Sequence, residues 1–91
     1  MRLLVKKIPA GKLVKIAYEL DSITSKITHF KLYGDFFLYP EYLLLSIEKN
    51  LLGVDVSSIS SVIEKVLDND DGQFIGVLPN DIQLMIEEDQ K

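Results

Sequence analysis

The sequence has 91 residues, a formal net charge of −4 and no cysteine. Its length indicates a single domain, and the lack of cysteine excludes disulfides, thiolate metal sites and thiol chemistry. Its hydrophobic content of 47% is typical of a globular chain. No apolar run approaches the roughly eighteen residues of a membrane span, and the N-terminal apolar run is too short for a secretory signal. We therefore predict one soluble, cytoplasmic domain over residues 1–91 that does not bind a membrane.

The charge is unevenly distributed along the chain. Residues 1–38 have seven basic and three acidic side chains, a balance of +4, whereas residues 39–91 have three basic and eleven acidic ones, a balance of −8. The basic half could face a phosphate-bearing ligand or an acidic partner surface. Because its lysines alternate with core positions and the whole chain is acidic, we do not expect nucleic acid as the partner.

Three segments with strand character come first in the chain. Their patterns predict strands from Leu3 to Ile8, from Leu13 to Leu20 and from Ile27 to Tyr33. A turn from Pro9 to Lys12, which includes Ala10 and Gly11, separates the first two. Consecutive strands with short connections form an antiparallel meander.

Helical spacing dominates the second half of the sequence. Pro40 is suited to the first position of a helix, and Gly53 to its C-terminal cap. A second helix is predicted by an apolar stripe with the spacing i, i+3, i+4 and i+7, made of Ile59, Val62, Ile63 and Val66. Pro79 then begins a short third helix, whose inward residues are Ile82, Met85 and Ile86. Acidic residues at 87–89 oppose the helix dipole, so we expect this end to fray.

The predicted fold class is α+β, with a three-stranded antiparallel meander and two to three helices packed on one face. The other face of such a sheet stays open. On this open face the middle strand presents Leu13 and Ala17 among charged residues, a mixture that is typical of an interaction surface.

The connection between the third strand and the first helix is unusually apolar. After Gly34 and Asp35 come four large side chains in succession, Phe36, Phe37, Leu38 and Tyr39. Consecutive residues of an extended chain point to opposite faces, so the local core can hide about two of them. We expect the others to contact a second protein.

Patterns that would indicate catalysis on this chain are incomplete. Gly11 and Lys12 lack the upstream glycine and the following Ser or Thr of a phosphate-binding loop. The acidic loop from Asp68 to Gly72 lacks two of the ligands that a calcium loop needs. His29 is the single histidine and is expected to be an ordinary surface or interface residue. We therefore assign no catalytic residue and no metal site.

The sequence resembles the small accessory domain of lipoate–protein ligases from about Lys6 to Ile86. The matching segments, in order, are Pro9-Ala10-Gly11-Lys12-Leu13-Val14, Gly34-Asp35-Phe36-Phe37-Leu38 with Pro40-Glu41, the helix end with Ile47, Glu48, Leu51 and Gly53, and Ile75-Gly76-Val77 with Pro79, Asp81 and Ile82. In most bacterial relatives this domain follows the catalytic domain in one chain. Here Met1 stands only eight residues before Pro9, so we expect a separate small subunit, as in the two-protein ligases of some archaea.

The resemblance implies an ATP-dependent ligation carried out by two proteins. Lipoate and ATP give lipoyl-AMP and pyrophosphate, and the lipoyl group then passes to a lysine of a lipoyl-domain acceptor protein. The large catalytic subunit of such a heterodimer holds the lipoate tunnel, the nucleotide and the catalytic lysine. The resemblance implies that this chain binds no cofactor alone, whereas the complex uses ATP, Mg²⁺ and lipoate. It also implies that the accessory subunit is required for activation and changes position before transfer.

The same resemblance suggests a set of residues for the partner interface and active-site cover. These are Lys12, Gly34, Asp35, Phe36, Phe37 and Tyr39. The aromatic residues would anchor the large subunit, Asp35 would cap or order the loop, and Lys12 would face the catalytic side. Three alternatives stay open: both Phe rings belong to the core, the chain is a stand-alone interaction module or carrier-protein adaptor without ATP chemistry, or its basic sheet face binds nucleic acid weakly.

Overall fold

The computed structural model describes residues 1–8 and 12–91, so Pro9, Ala10 and Gly11 of the predicted turn lie outside the described residues. The elements in chain order are β1 (Arg2–Lys7), β2 (Leu13–Leu20), β3 (Ile27–Gly34), β4 (Phe37–Tyr39), α1 (Leu43–Asn50), a 3-10 turn (Val56–Ser58), α2 (Ile59–Asn69), β5 (Gln73–Ile75) and α3 (Pro79–Asp89). No helix in the described ranges is both long and apolar enough to cross a membrane.

The main sheet is the predicted antiparallel meander, with strand order β1-β2-β3. Lys15 of β2 lies opposite Val5 of β1 and Tyr33 of β3. A second sheet pairs β4 with β5, and three helices complete the fold. The α+β class and the meander are confirmed.

One face of the main sheet forms the core together with the helices. The alternating residues Val14, Ile16 and Tyr18 of β2 are fully buried, as their period of two predicts. The buried helical residues of the same core cluster are Leu43 and Ile47 of α1, Ile59, Ile63 and Val66 of α2, and Ile82, Met85 and Ile86 of α3. The helical stripes read from the sequence therefore face the core, except that Val62 is only partly buried.

The opposite face of the main sheet is open, and we call it the open face. Leu3 and Val5 of β1 are 66% and 57% exposed there. Ala17 is the exception to the expected exposure, because it is only 5% exposed. Its small side chain lies in the middle strand between the longer side chains of Leu3 and Lys31, which are its cross-strand neighbours. Leu13 is half-buried.

The first helix begins at Leu43, so the prediction that Pro40 is its first residue is wrong. Residues Phe37–Tyr39 remain extended because they pair with β5, and Pro40 follows them through a cis peptide bond. Gly53 has the positive φ of 83° that suits a helix end, but the cap itself is Leu51. The N–H of Gly53 donates instead to the carbonyl of Ile27, 2.7 Å away.

The acidic end of α3, where fraying is predicted, is joined to β1, and the helix extends through Asp89. The Arg2 guanidinium donates to both carboxylate oxygens of Asp89, at 2.9 and 2.6 Å. The buried Tyr18 hydroxyl also donates to Asp89 and accepts a hydrogen bond from the Gln90 side chain. Burial, reinforced by the hydrogen bond to Asp89, raises the pKa of Tyr18. These contacts offset the unfavourable helix dipole.

Candidate partner-docking site

The connection after β3 folds into the short strand β4, in which side chains alternate between the core and solvent. Leu38 is 7% exposed, whereas Phe37 and Tyr39 are 58% and 52% exposed. β4 pairs with β5 so that Phe37 lies opposite Ile75 and Leu38 opposite Phe74. Because neighbouring residues of a strand point to opposite faces, two of the four large residues must point outward.

The outer side of this second sheet is an apolar surface, which we call the small-sheet face. It consists of Phe37, Tyr39 and Ile75, and Ile75 is 50% exposed. The rings of Phe37 and Tyr39 are stacked, with centroids 6.4 Å apart and planes at 14°. Exposed aromatic residues that are already ordered against each other are typical of binding hot spots. Ile75 was not among the residues selected from the sequence.

Phe36 has the opposite orientation and belongs to the interior side of the second sheet. Its ring is half-buried and meets the ring of Phe74 edge to face, with centroids 5.5 Å apart and planes at 65°. Both rings pack against the core cluster. The two neighbouring phenylalanines therefore differ: Phe36 supports the fold from inside, and Phe37 is available to a partner.

Gly34 allows the chain to turn from β3 into β4. Its φ is +145°, and a Cβ atom at this position would lie only 2.2 Å from the carbonyl oxygen of Leu13. The next residue, Asp35, donates its backbone N–H to that same carbonyl at 2.7 Å. The Asp35 carboxylate is exposed and accepts no hydrogen bond from residues 1–8 or 12–91, so the backbone N–H is the part of Asp35 seen to order the loop.

Lys12 lies beside this loop, against the glycine that follows β5. A Cβ atom on Gly76 would lie 3.4 Å from Cγ of Lys12 and 3.6 Å from the carbonyl oxygen of Asp35. Gly76 has a φ of +99°, a conformation that favours glycine. The structure thus brings Lys12 and Asp35 together, with the half-buried Lys12 stem packed on the turn after β5.

A groove of about 450 Å³ joins the small-sheet face to the end of β3. Its walls include Tyr33, Gly34, Phe37, Tyr39, Glu41 and Leu44. Tyr33 also belongs to the open face of the main sheet, where it lies opposite Lys15. The small-sheet face and the open face are therefore connected through Tyr33.

The lining of the groove offers contact area to a binding partner. No group of three or more His, Cys, Asp or Glu side chains converges as metal ligands in the described part of the chain. The groove is lined by aromatic rings, aliphatic side chains, a glycine and one carboxylate. Such a lining provides contact area for an apolar partner surface.

No protein-family model matches the sequence, and no curated protein matches it. A solved structure is similar in three dimensions: a chain of an archaeal lipoylation system from Thermoplasma acidophilum, described as a bipartite lipoate protein ligase and its E2 lipoyl domain. The TM-score is 0.70 and the identity 24%, over 89% of this chain and 90% of the other. The two chains share a fold. The resemblance seen in the sequence is thereby confirmed at the level of the fold.

Proposed function

We propose that this protein is the accessory subunit of a two-protein lipoate–protein ligase and that it docks on the large catalytic subunit through the small-sheet face. The main support for this proposal is the stacked, exposed pair Phe37 and Tyr39 beside Ile75. The chain that presents them shares its fold with a chain of a bipartite lipoate ligase system. A surface of this kind gains free energy when a partner removes it from water.

The free energy gained by covering these side chains is large enough to contribute to binding. Covering the exposed half of one aromatic ring removes about 100 Å² of apolar surface from water and contributes roughly 2 kcal/mol. Because Phe37 and Tyr39 already stack on each other, little side-chain entropy is lost when they are covered. Phe37 and Tyr39 are therefore the proposed anchors, and Phe36 supports them through Phe74.

The proposed contribution of this subunit is to cover the reaction centre of its partner in the cytoplasm. In the activation step a lipoate carboxylate oxygen attacks the α-phosphorus of ATP, and pyrophosphate leaves; Mg²⁺ bound with ATP in the complex would offset charge on the phosphates. The acceptor lysine amine then attacks the acyl carbon and gives up a proton, and AMP leaves. The intermediate is a mixed anhydride, so excluding water protects it. Lys12, held against Gly76, supplies a positive charge that would stabilise the leaving pyrophosphate.

The test is ATP–pyrophosphate exchange with lipoate, measured for the large subunit alone, this protein alone and the mixture. We expect exchange in the mixture only. Because Phe37→Ser weakens docking, exchange should be low when this variant is limiting. Exchange should recover when the variant is added in excess over the large subunit. Ile23→Ser is the matched control, since Ile23 is 91% exposed in the turn between β2 and β3.

Two results would contradict the proposal. Full exchange by the large subunit alone would remove the role in activation even if the two proteins bind each other. A complex that forms without any gain in exchange would instead identify the protein as an interaction module without ATP chemistry.

A further inference from the structure

The small-sheet face is too small to hold a stable complex by itself. Phe37, Tyr39 and Ile75 are each about half exposed, so together they offer on the order of 300 Å². A stable protein interface buries about 800 Å² on each partner. A docked catalytic subunit must therefore cover a second, neighbouring part of this molecule.

The open face of the main sheet is the neighbouring surface that the structure offers. The groove beside β4 leads from Phe37 and Tyr39 to Tyr33, which is 44% exposed. From Tyr33 the open face continues across β2 to the exposed Val5 and Leu3 of β1. The two surfaces thus form a continuous footprint.

A lysine stands at the centre of this open face. Lys15 lies between Val5 and Tyr33 across the strands, and Leu13 and Ala17 flank it along β2. It is exposed and forms no ion pair with any residue in the described ranges. Covering this apolar surface would remove the Lys15 ammonium from water, which is unfavourable unless the partner supplies an opposite charge.

The charges around Lys15 restrict the kind of occupant. Among the described residues the strands of the open face also carry Lys7, Lys31 and Glu19, and Lys31 forms an ion pair with Glu48 of α1 at 3.6 Å. A second copy of this chain would place lysines against lysines in a symmetric contact, which is repulsive. Bases of a nucleic acid would find Tyr33 and the half-buried ring of His29 for stacking, whereas the more exposed Leu3 and Val5 suit an apolar protein surface.

We infer that the open face is a second part of the docking surface for the large catalytic subunit, which presents a carboxylate to Lys15. This inference rests on the proposed function and specifies its interface. Neutral aromatic contacts on the small-sheet face would provide affinity, and the carboxylate opposite Lys15 would fix the orientation of the two proteins.

The experiment compares Lys15→Glu with Lys65→Glu, which makes the same charge change at an exposed position of α2. Isothermal titration calorimetry with the purified large subunit is run at low and at moderate salt, together with wild type and Phe37→Ser. We expect Lys15→Glu to weaken binding by about tenfold to a hundredfold, most strongly at low salt, and Lys65→Glu to change it by less than about twofold. Far-ultraviolet circular dichroism verifies that the variants are folded.

The outcomes separate the inference from the function on which it rests. If Phe37→Ser weakens binding while Lys15→Glu and Lys65→Glu both bind as wild type does, the inference is wrong and the proposed function stands. If wild type does not bind the large subunit, both are wrong. If Lys15→Glu weakens binding of a labelled single-stranded oligonucleotide and leaves the subunit affinity unchanged, the open face is a nucleic-acid surface and the inference is overturned.

Discussion

The Glu48 side chain of α1 accepts a hydrogen bond from the backbone N–H of Leu32 in β3, with Oε2 and N 3.0 Å apart. Glu48 is 8% exposed, and its other oxygen lies 3.6 Å from the Lys31 ammonium. A side chain from a helix therefore satisfies one backbone N–H on the outer edge of β3. A side chain in this position opposes the pairing of that edge with another strand.

Glu48→Ala should destabilise the fold, because it leaves the Leu32 N–H without its acceptor. We expect the free energy of unfolding to fall by about 2 kcal/mol. Glu48→Gln keeps a side-chain acceptor and should cost less. Urea denaturation measures both, with Glu64→Ala on the exposed side of α2 as the control. Equal stability of Glu48→Ala and Glu64→Ala would show that the hydrogen bond contributes nothing.

The main sheet could be predicted from the sequence, because its strands are long enough for a period of two to be visible. β2 spans Leu13–Leu20 as predicted, and β3 extends the predicted segment only by Gly34. The β4–β5 sheet could not be predicted in the same way. Its strands have three residues each, and the partners Leu38 and Phe74 lie far apart in the sequence. The prediction that Pro40 begins the first helix is wrong because the β4–β5 pairing keeps residues 37–39 extended.

The sequence indicates which large apolar residues follow β3, but not which of them point outward. Alternation requires that about half of the four large residues point outward. Which half does so depends on the register of β4 against β5, and only the structure supplies that register. Ile75 could have been found through the short apolar run that contains Phe74 and Ile75, since such a run indicates a strand with two faces.

The contact between Arg2 and Asp89 should make stability depend on pH. The Arg2 hydrogen bond, followed by that of Tyr18, holds the pKa of Asp89 below its usual value. A carboxyl with a lowered folded-state pKa stabilises the fold above its unfolded pKa of about 4, and this contribution is lost as the pH falls through the folded pKa. Asp89→Asn should therefore lower the melting temperature by a few degrees at neutral pH, with the difference from wild type shrinking below about pH 4.

Melting curves between acidic and neutral pH test this expectation for Asp89. Glu88→Gln is the control, since Glu88 is exposed and its ion pair with Lys6 is 3.5 Å long. Exposed pairs of this kind contribute little to stability. A temperature difference between wild type and Asp89→Asn that stays constant with pH would contradict the assignment.

Gly34→Ala should be more destabilising than Gly53→Ala, although both glycines have a positive φ. A Cβ at Gly34 would lie 2.2 Å from the Leu13 carbonyl oxygen, whereas a Cβ at Gly53 meets nothing within 4 Å. The Gly53 variant therefore has only the backbone penalty, about 1 kcal/mol, and the Gly34 variant must also separate β2 from the turn into β4. Urea denaturation measures the two costs, and equal costs would contradict the close approach.

A double-mutant cycle on Phe36 and Phe74 should detect their edge-to-face contact. With centroids 5.5 Å apart, the two rings should show a coupling energy of about 1 kcal/mol when each is replaced by Leu singly and together. The exposed pair Phe37 and Tyr39, at 6.4 Å, is the matched comparison and should couple by less than about 0.5 kcal/mol in the isolated protein. Stronger coupling in the exposed pair would mean that Phe37 and Tyr39, rather than Phe36 and Phe74, stabilise the second sheet.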